Sequence, residues 1–323
     1  MVVTFKPSLA RANGGSDGKA CRFGCGAVYL IRRYLCSRIR SGSGEPSNHT
    51  VGSGCERLLR LSERPPMNRR ERSSGVALIT GASRRKGIGA ATALALAREG
   101  WDVALSFWRA YDERMPWGSD PADIPGLRDQ LDALGVKATA IEADLSLPGT
   151  PGQIFDAVER ALGPVTALVL SHAESVDSDI MGTTVESFDR HFAVNARAAW
   201  LLVREFGRRF SGPHGRGRII ALTSDHVAGN VAYGASKAAL TAIIRAAAEE
   251  FGHGGRGITA NVIEPGPTDT GWMTEEQIAE FGRRNPQGRV GLPTDCANLV
   301  VFLTSSAGGW INGQLLHSNG GLY

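Results

Sequence analysis

The sequence predicts a single doubly wound α/β domain over residues 67–323, with a parallel sheet as the middle of three layers. Two observations carry that expectation. From Gly75 onward, short β-branched or aliphatic runs alternate with longer amphipathic segments, and the short runs are apolar almost throughout. Strands without a polar face are buried on both sides, which requires helices above and below a parallel sheet.

The strands are expected at Val76–Thr80, Val103–Ser106, Ala138–Ile141, Ala167–Leu170, Arg218–Thr223 and Thr259–Ile263, with a last short one near Gln314–His317. Ile88–Glu99, Leu127–Leu134, Gln153–Leu162, Val185–Phe210 and Val231–Phe251 carry helical spacing between them. No repeat of fixed period runs through the chain.

Residues 1–66 read differently. They hold eleven Lys or Arg against four Asp or Glu, a balance of +7, whereas the remainder holds 25 against 28, a balance of −3. The overall charge of +4 therefore belongs to the leader, and the body carries no electrostatic footprint for nucleic acid. Gly, Ser and Arg dominate the leader without periodicity. It reads as a disordered or artefactual extension, with a transit peptide as the competing reading, and Met67 stands where the folded body would begin. Cys21, Cys25, Cys36 and Cys55 lie in it at spacings poorly suited to zinc, so no metal site is expected. Cys296 is the one cysteine of the body, which excludes an internal disulfide there and fits a reducing compartment, the cytoplasm. No apolar run is long enough to span a membrane.

Thr80-Gly81-Ala82-Ser83-Arg84-Arg85-Lys86-Gly87-Ile88-Gly89 joins the first strand to the first helix. Glycines permit a tight turn and close backbone approach, and the free N–H groups of a helix start suit a pyrophosphate. This placement points to a Rossmann-type dinucleotide site. An NAD site would place a carboxylate near the end of the second strand. Here that strand ends Ser106-Phe107-Trp108-Arg109, and no acid follows until Asp112. Arg84, Arg85 and Lys86 would instead pair with a 2′-phosphate, so NADP(H) is expected over NAD(H).

Tyr233 and Lys237 stand four residues apart near the start of a predicted helix and so share a face. A free phenol with a pKa of about 10 is a poor base at neutral pH, and a neighbouring ammonium favours its ionised form. Ser224 ends the preceding strand, where its hydroxyl could hold a substrate oxygen beside the phenol.

Together these features resemble the short-chain dehydrogenase/reductase family, especially its 3-oxoacyl-(acyl-carrier-protein)-reductase-like members. The resemblance spans residues 74–323. It rests on Thr80-Gly81 with Gly87-Ile88-Gly89, on Asp144, Asn195, Ser224, Tyr233 with Lys237, and Pro265-Gly266. It implies an NADP(H)-dependent oxidoreductase that interconverts a carbonyl and an alcohol. By that resemblance Tyr233 is the general acid in reduction, Ser224 polarises the carbonyl, and Lys237 also binds the nicotinamide ribose. Asn195 would hold a water in a proton relay. Gly81, Ser83, Arg84, Arg85, Gly87, Ile88 and Gly89 would bind the cofactor, with Asp144 and Leu145 at its adenine. Pro265, Gly266, Thr268 and Thr270 would meet its carboxamide and phosphates.

Three departures from the family pattern stand out. The glycine loop is two residues longer than usual. Ser171-His172-Ala173-Glu174 replaces the usual Asn-Asn-Ala-Gly, so a different local turn is expected, with His172 as a structural polar residue. The interval from Ser224 to Tyr233 is nine rather than twelve or thirteen, which shortens one wall of the substrate pocket.

Trp272 and Met273 fall where the family places a mobile substrate lid, consistent with an acyl or alicyclic carbonyl. The resemblance also implies a homotetramer or homodimer built on Val185–Phe210 and Val231–Phe251. Two alternatives remain: an NAD-dependent alcohol or sugar dehydrogenase on the same frame, and a non-catalytic NADP-binding regulatory protein. Retention of Ser224, Tyr233 and Lys237 together argues against the second.

Overall fold

The computed structural model describes residues 74–322, all within the compact unit Pro66–Tyr323. The expected leader therefore lies outside the described residues, as do its four cysteines. Seven parallel strands, β1 (Val76–Thr80), β2 (Asp102–Phe107), β3 (Ala138–Glu142), β4 (Val165–Leu170), β5 (Gly217–Leu222), β6 (Ile258–Glu264) and β7 (Leu315–His317), form one sheet. Their order is β3-β2-β1-β4-β5-β6-β7. The chain winds outward from β1 to β3, then crosses back and winds the other way from β4. The crevice beyond the carboxyl ends of β1 and β4 is the switch point at which such sheets bind ligands.

Alternation along each strand builds two cores. Val76 and Leu78 of β1 face one of them, while Ala77 and Ile79 face the other. On the second face pack α1 (Ile88–Arg98), α3 (Asp123–Ala133) and α9 (Pro293–Thr304), through residues such as Leu96, Leu127 and Val300. On the first pack α4 (Thr150–Leu162), α6 (Ala198–Arg209) and α7 (Val231–His253), through Phe155, Phe206 and Ile244. Apolar surface of this kind is removed from water at roughly 25 cal/mol per Å².

The expected helix Val185–Phe210 is three pieces: α5 (Val185–His191), a π-helical stretch over Phe192–Arg197, and α6. The wider π turn accompanies an inward Asn195 side chain, whose partners lie on another element. Three helices add to the sequence reading. The short α2 (Arg109–Glu113) and α9 lack long periodic runs, and α9 opens with Pro293 in its first turn. The third, α8 (Glu275–Arg284), begins with a capping box between Thr274 and Gln277. Among the described residues, no helix is long and apolar enough to cross a membrane, and no cluster of His, Cys, Asp or Glu could hold a metal.

Candidate active site

A cleft of about 950 Å³ opens at the switch point. Its floor is the loop after β1. Gly81, at φ +73°, packs so tightly there that a Cβ would sit 2.5 Å from His172 Cα. Only glycine tolerates both that φ and that approach.

The turn after β4 solves the loss of the usual asparagine and glycine with side chains. His172 Nδ1 lies 2.6 Å from Thr80 Oγ1, and its Nε2 lies 3.1 Å from the Val194 carbonyl. A carbonyl only accepts, so Nε2 carries the proton and Nδ1 accepts from the threonine hydroxyl. Burial, and next the charge of Lys237, push the imidazole down to about 3, so it is neutral. Glu174 needs no left-handed backbone, since no described residue other than glycine has positive φ. Its main chain is held by Asn195, whose Oδ1 accepts from Glu174 N at 2.8 Å while Nδ2 donates to Glu174 O at 2.9 Å. Asn195 Nδ2 also donates to Ser236 Oγ, linking this turn to α7. The buried Glu174 carboxylate is paired at 3.1 Å with both Arg114 and Arg190.

At one end of the cleft, Ser224 follows β5 by two residues, and the first two turns of α7 carry Tyr233 and Lys237. Burial pushes the Tyr233 phenol up to about 12, and a hydrogen bond with Ser224 works in the opposite direction. Lys237 is 2% exposed and sits on the same helix face, with Nζ 5.7 Å from the Tyr233 ring centroid. It donates to the carbonyls of Leu222 at 3.0 Å and His172 at 3.4 Å. Burial lowers its pKa to about 8. The short Ser224–Tyr233 connection folds back on α7 at Gly234, where a Cβ would lie 2.5 Å from the His226 carbonyl oxygen.

At the other end, Arg84 lies against Trp117 and beside Asp112, with Nε 3.5 Å from Asp112 Oδ1. Its partial burial pushes the guanidinium down, and Asp112 opposes that shift. Two buried oxygens here, Ser106 Oγ and Asp112 Oδ2, have no partner among the described residues. Both residues line the cleft. Buried polar atoms are seldom left unpaired, so this wall is suited to a polar ligand.

A family model described as enoyl-(acyl carrier protein) reductase matches residues 81–323. The chain is 36% identical to the oxidoreductase YjdA of Bacillus subtilis over 251 residues, 76% of this chain and 96% of that one. The chain belongs to the short-chain dehydrogenase/reductase family. As such it is an oxidoreductase acting on the CH–OH/carbonyl pair. It is also 35% identical to a chloroplastic NADPH-dependent aldehyde reductase-like protein of Arabidopsis thaliana, covering 76% of this chain and 93% of that one. Among solved structures, a metagenomic blue fluorescent protein in complex with NADPH superposes with a TM-score of 0.68 at 32% identity, covering 77% of this chain and 98% of the other. The angucycline C-6 ketoreductase LanV with bound NADP has a TM-score of 0.68 at 29% identity, covering 78% and 96%.

Most of the residues expected from the short-chain dehydrogenase/reductase pattern converge on the cleft: Gly81, Ser83, Arg84, Gly87, Ile88, Asp144, Leu145, Ser224, Tyr233, Lys237, Pro265, Gly266, Thr268 and Thr270 line it. Three are placed differently. Gly89 lies behind the loop, where a Cβ would meet Gly81 O at 2.7 Å. Asn195 is enclosed by its bonds to Glu174 and Ser236. Arg85 turns away because Asp123 accepts from its Nε at 2.7 Å and Asp120 lies 3.6 Å off. Likewise Lys86 pairs with Asp269 at 3.0 Å. Asp144 Oδ1 accepts from Ser146 N, so that oxygen caps its own turn.

Sequence reasoning missed Tyr111, a wall of the cleft, and Trp117, which lies against Arg84. Tyr111 lines the cleft and donates to the Ser175 carbonyl. The available signal was the density of aromatic and charged residues in Trp108–Trp117, between β2 and α3.

Proposed function

We propose that this enzyme is an NADP(H)-dependent reductase that converts a ketone or aldehyde to an alcohol. The observation that carries the reading is the joint placement of Ser224, Tyr233 and Lys237 at one end of a cleft whose other end is the glycine-rich loop with Arg84. The fit to a dinucleotide is supported by the unpartnered Ser106 Oγ and Asp112 Oδ2, by the close-packed Gly81, and by an inward-facing guanidinium. A cleft of about 950 Å³ is at the upper end of the range for cofactor sites.

The cofactor, when bound, supplies the hydride for the carbonyl carbon. Ser224 Oγ donates to the substrate oxygen and fixes it beside Tyr233. The Tyr233 phenol then gives its proton to that oxygen as negative charge develops there. Lys237, held by two backbone carbonyls, favours the phenolate that results. Asn195 is a positioning residue that fixes the Glu174 turn against α7. Reprotonation of the phenolate by water completes the cycle. Thr268 and Thr270, beyond β6, complete the cofactor wall.

One observation favours NAD(H) instead: the unpartnered Asp112 Oδ2 could accept from a ribose 2′-hydroxyl. Cofactor oxidation followed by absorbance, with NADPH and NADH compared over ketones, aldehydes and acetoacetyl thioesters, decides between them. Faster turnover with NADPH supports the proposal, and preference for NADH refutes it.

We place the enzyme in the cytoplasm, as a homodimer or homotetramer assembled through α6 and α7, where Trp200 is 47% exposed. Light scattering at micromolar concentration tests the assembly.

A further inference from the structure

Arg84 of the lengthened glycine loop lies against two tryptophans from other segments of the chain. The Arg84 guanidinium carbon lies 4.8 Å from the Trp117 ring centroid and 5.9 Å from that of Trp272. The two indoles stack on each other, 4.9 Å apart and 7° from parallel. Trp117 Nε1 donates to Asp112 Oδ1 at 2.9 Å, and that same oxygen faces Arg84 Nε. Two loop residues later, Lys86 pairs with Asp269, three positions before Trp272.

These contacts join three elements that the fold does not otherwise require to touch. Trp117 lies between β2 and α3, at the cofactor end. Trp272 lies between β6 and α8, in the segment that follows Thr268 and Thr270. Arg84 belongs to the loop after β1. A free arginine samples many rotamers, and one held in place beforehand loses less entropy when it meets an anion. Indole faces can hold a guanidinium without consuming its N–H donors. Asp112 is its one ion-pair partner among the described residues, at a long 3.5 Å.

We propose that Trp117 and Trp272 are positioning residues for cofactor specificity: their stack holds Arg84 where it selects a cofactor bearing a 2′-phosphate. Selection by the loop after β1 is thereby tied to the placement of the segment between β6 and α8. This rests on the reading of Arg84 as the partner of the 2′-phosphate.

The test is calorimetric binding of NADPH and of NADH to the full chain, without substrate. Variants are Arg84→Ala, Trp117→Ala, Trp272→Ala, Trp272→Phe, and Arg84→Ala combined with Trp272→Ala. Arg84→Ala abolishes the preference for NADPH. Trp117→Ala and Trp272→Ala each weaken NADPH about tenfold, the scale of one cation–π contact, and leave NADH within about twofold. Trp272→Phe, which keeps a stacking face, restores most of the loss. In the Arg84→Ala background, Trp272→Ala changes the ratio no further.

Equal weakening of both cofactors by Trp272→Ala, or no weakening of either, overturns the proposal while leaving Arg84 as the phosphate partner. A preference that survives Arg84→Ala overturns both. If Trp272→Ala fails to fold, Trp272→Leu, which keeps bulk but loses the aromatic face, must show the selective loss of NADPH.

Discussion

Asn230 Nδ2 donates to the Asp177 carboxylate at 2.6 Å, tying the start of α7 to the strap that follows β4. The same amide donates to Ser175 Oγ at 3.0 Å, and a parallel bridge joins Ser178 to Asn230. The connection that ends at Tyr233 is thus short but anchored from outside. Asn230→Ala removes both bonds, one of them charge-assisted, at a cost of roughly 1–3 kcal/mol. We expect a lower melting temperature and a fall in kcat of about tenfold, with NADPH affinity unchanged. Equal kcat in the variant would show that the strap does not position Tyr233.

Tyr233→Phe removes the proposed acid but keeps the ring that packs beside Lys237. A loss of about 10²- to 10⁴-fold in kcat is expected, with cofactor binding intact by calorimetry. The pH dependence has a definite direction. With the phenol raised to about 12, the protonated form needed for reduction prevails through neutral pH. Alcohol oxidation needs the phenolate, so its rate should climb with pH from 6 upward, and reduction should not. Lys237, lowered to about 8, loses its charge above that value, and the climb should then become shallower. An oxidation rate independent of pH would contradict the assignment of Tyr233 as the base.

His172 predicts an acid limb of stability. Its folded value of about 3 lies below the unfolded 6.5. As pH falls through 6.5 the unfolded chain takes up a proton that the folded protein refuses. Stability present above 6.5 is therefore lost progressively toward 3, at up to about 1.4 kcal/mol per pH unit. His172→Asn, which can still bond Thr80, should flatten that limb in denaturant titrations between pH 6.5 and 4. An unchanged slope would assign the acid sensitivity to other groups.

Phe206 is 1% exposed, among the first-face core residues of α6. Phe206→Ala should cost about 3–5 kcal/mol and lower the melting temperature by roughly 10 °C, without altering the NADPH to NADH ratio. A melting temperature within about 2 °C of the parent would mean that the site collapses around the vacancy.

Much of this was legible in the chain itself. Apolar strands such as Val76–Thr80 and Val165–Leu170, each with a single threonine, report a sheet covered on both faces, because such a run has no polar side to give to water. Gly81, Ser224, Tyr233 and Lys237 were legible as well, since a helix of fixed pitch and a turn of fixed shape turn spacing into geometry. The helix Val185–Phe210 was legible as helical but not as broken. Its π turn accompanies Asn195 bonds to Glu174, a residue 21 positions earlier on another element.

The tertiary structure alone decided which of the loop's cations lines the cleft. Arg84, Arg85 and Lys86 are equivalent in sequence, but Asp123 captures Arg85, Asp269 captures Lys86, and Trp117 with Trp272 holds Arg84 against the cleft. It also decided what replaces the missing asparagine turn: the pairing of His172 with Thr80 and Val194 joins positions up to 92 residues apart. Local periodicity and turn chemistry act over a few residues and can be read along the chain. Partner choice among like charges depends on which acids and aromatics the fold brings within a few ångströms, and only the folded chain fixes that.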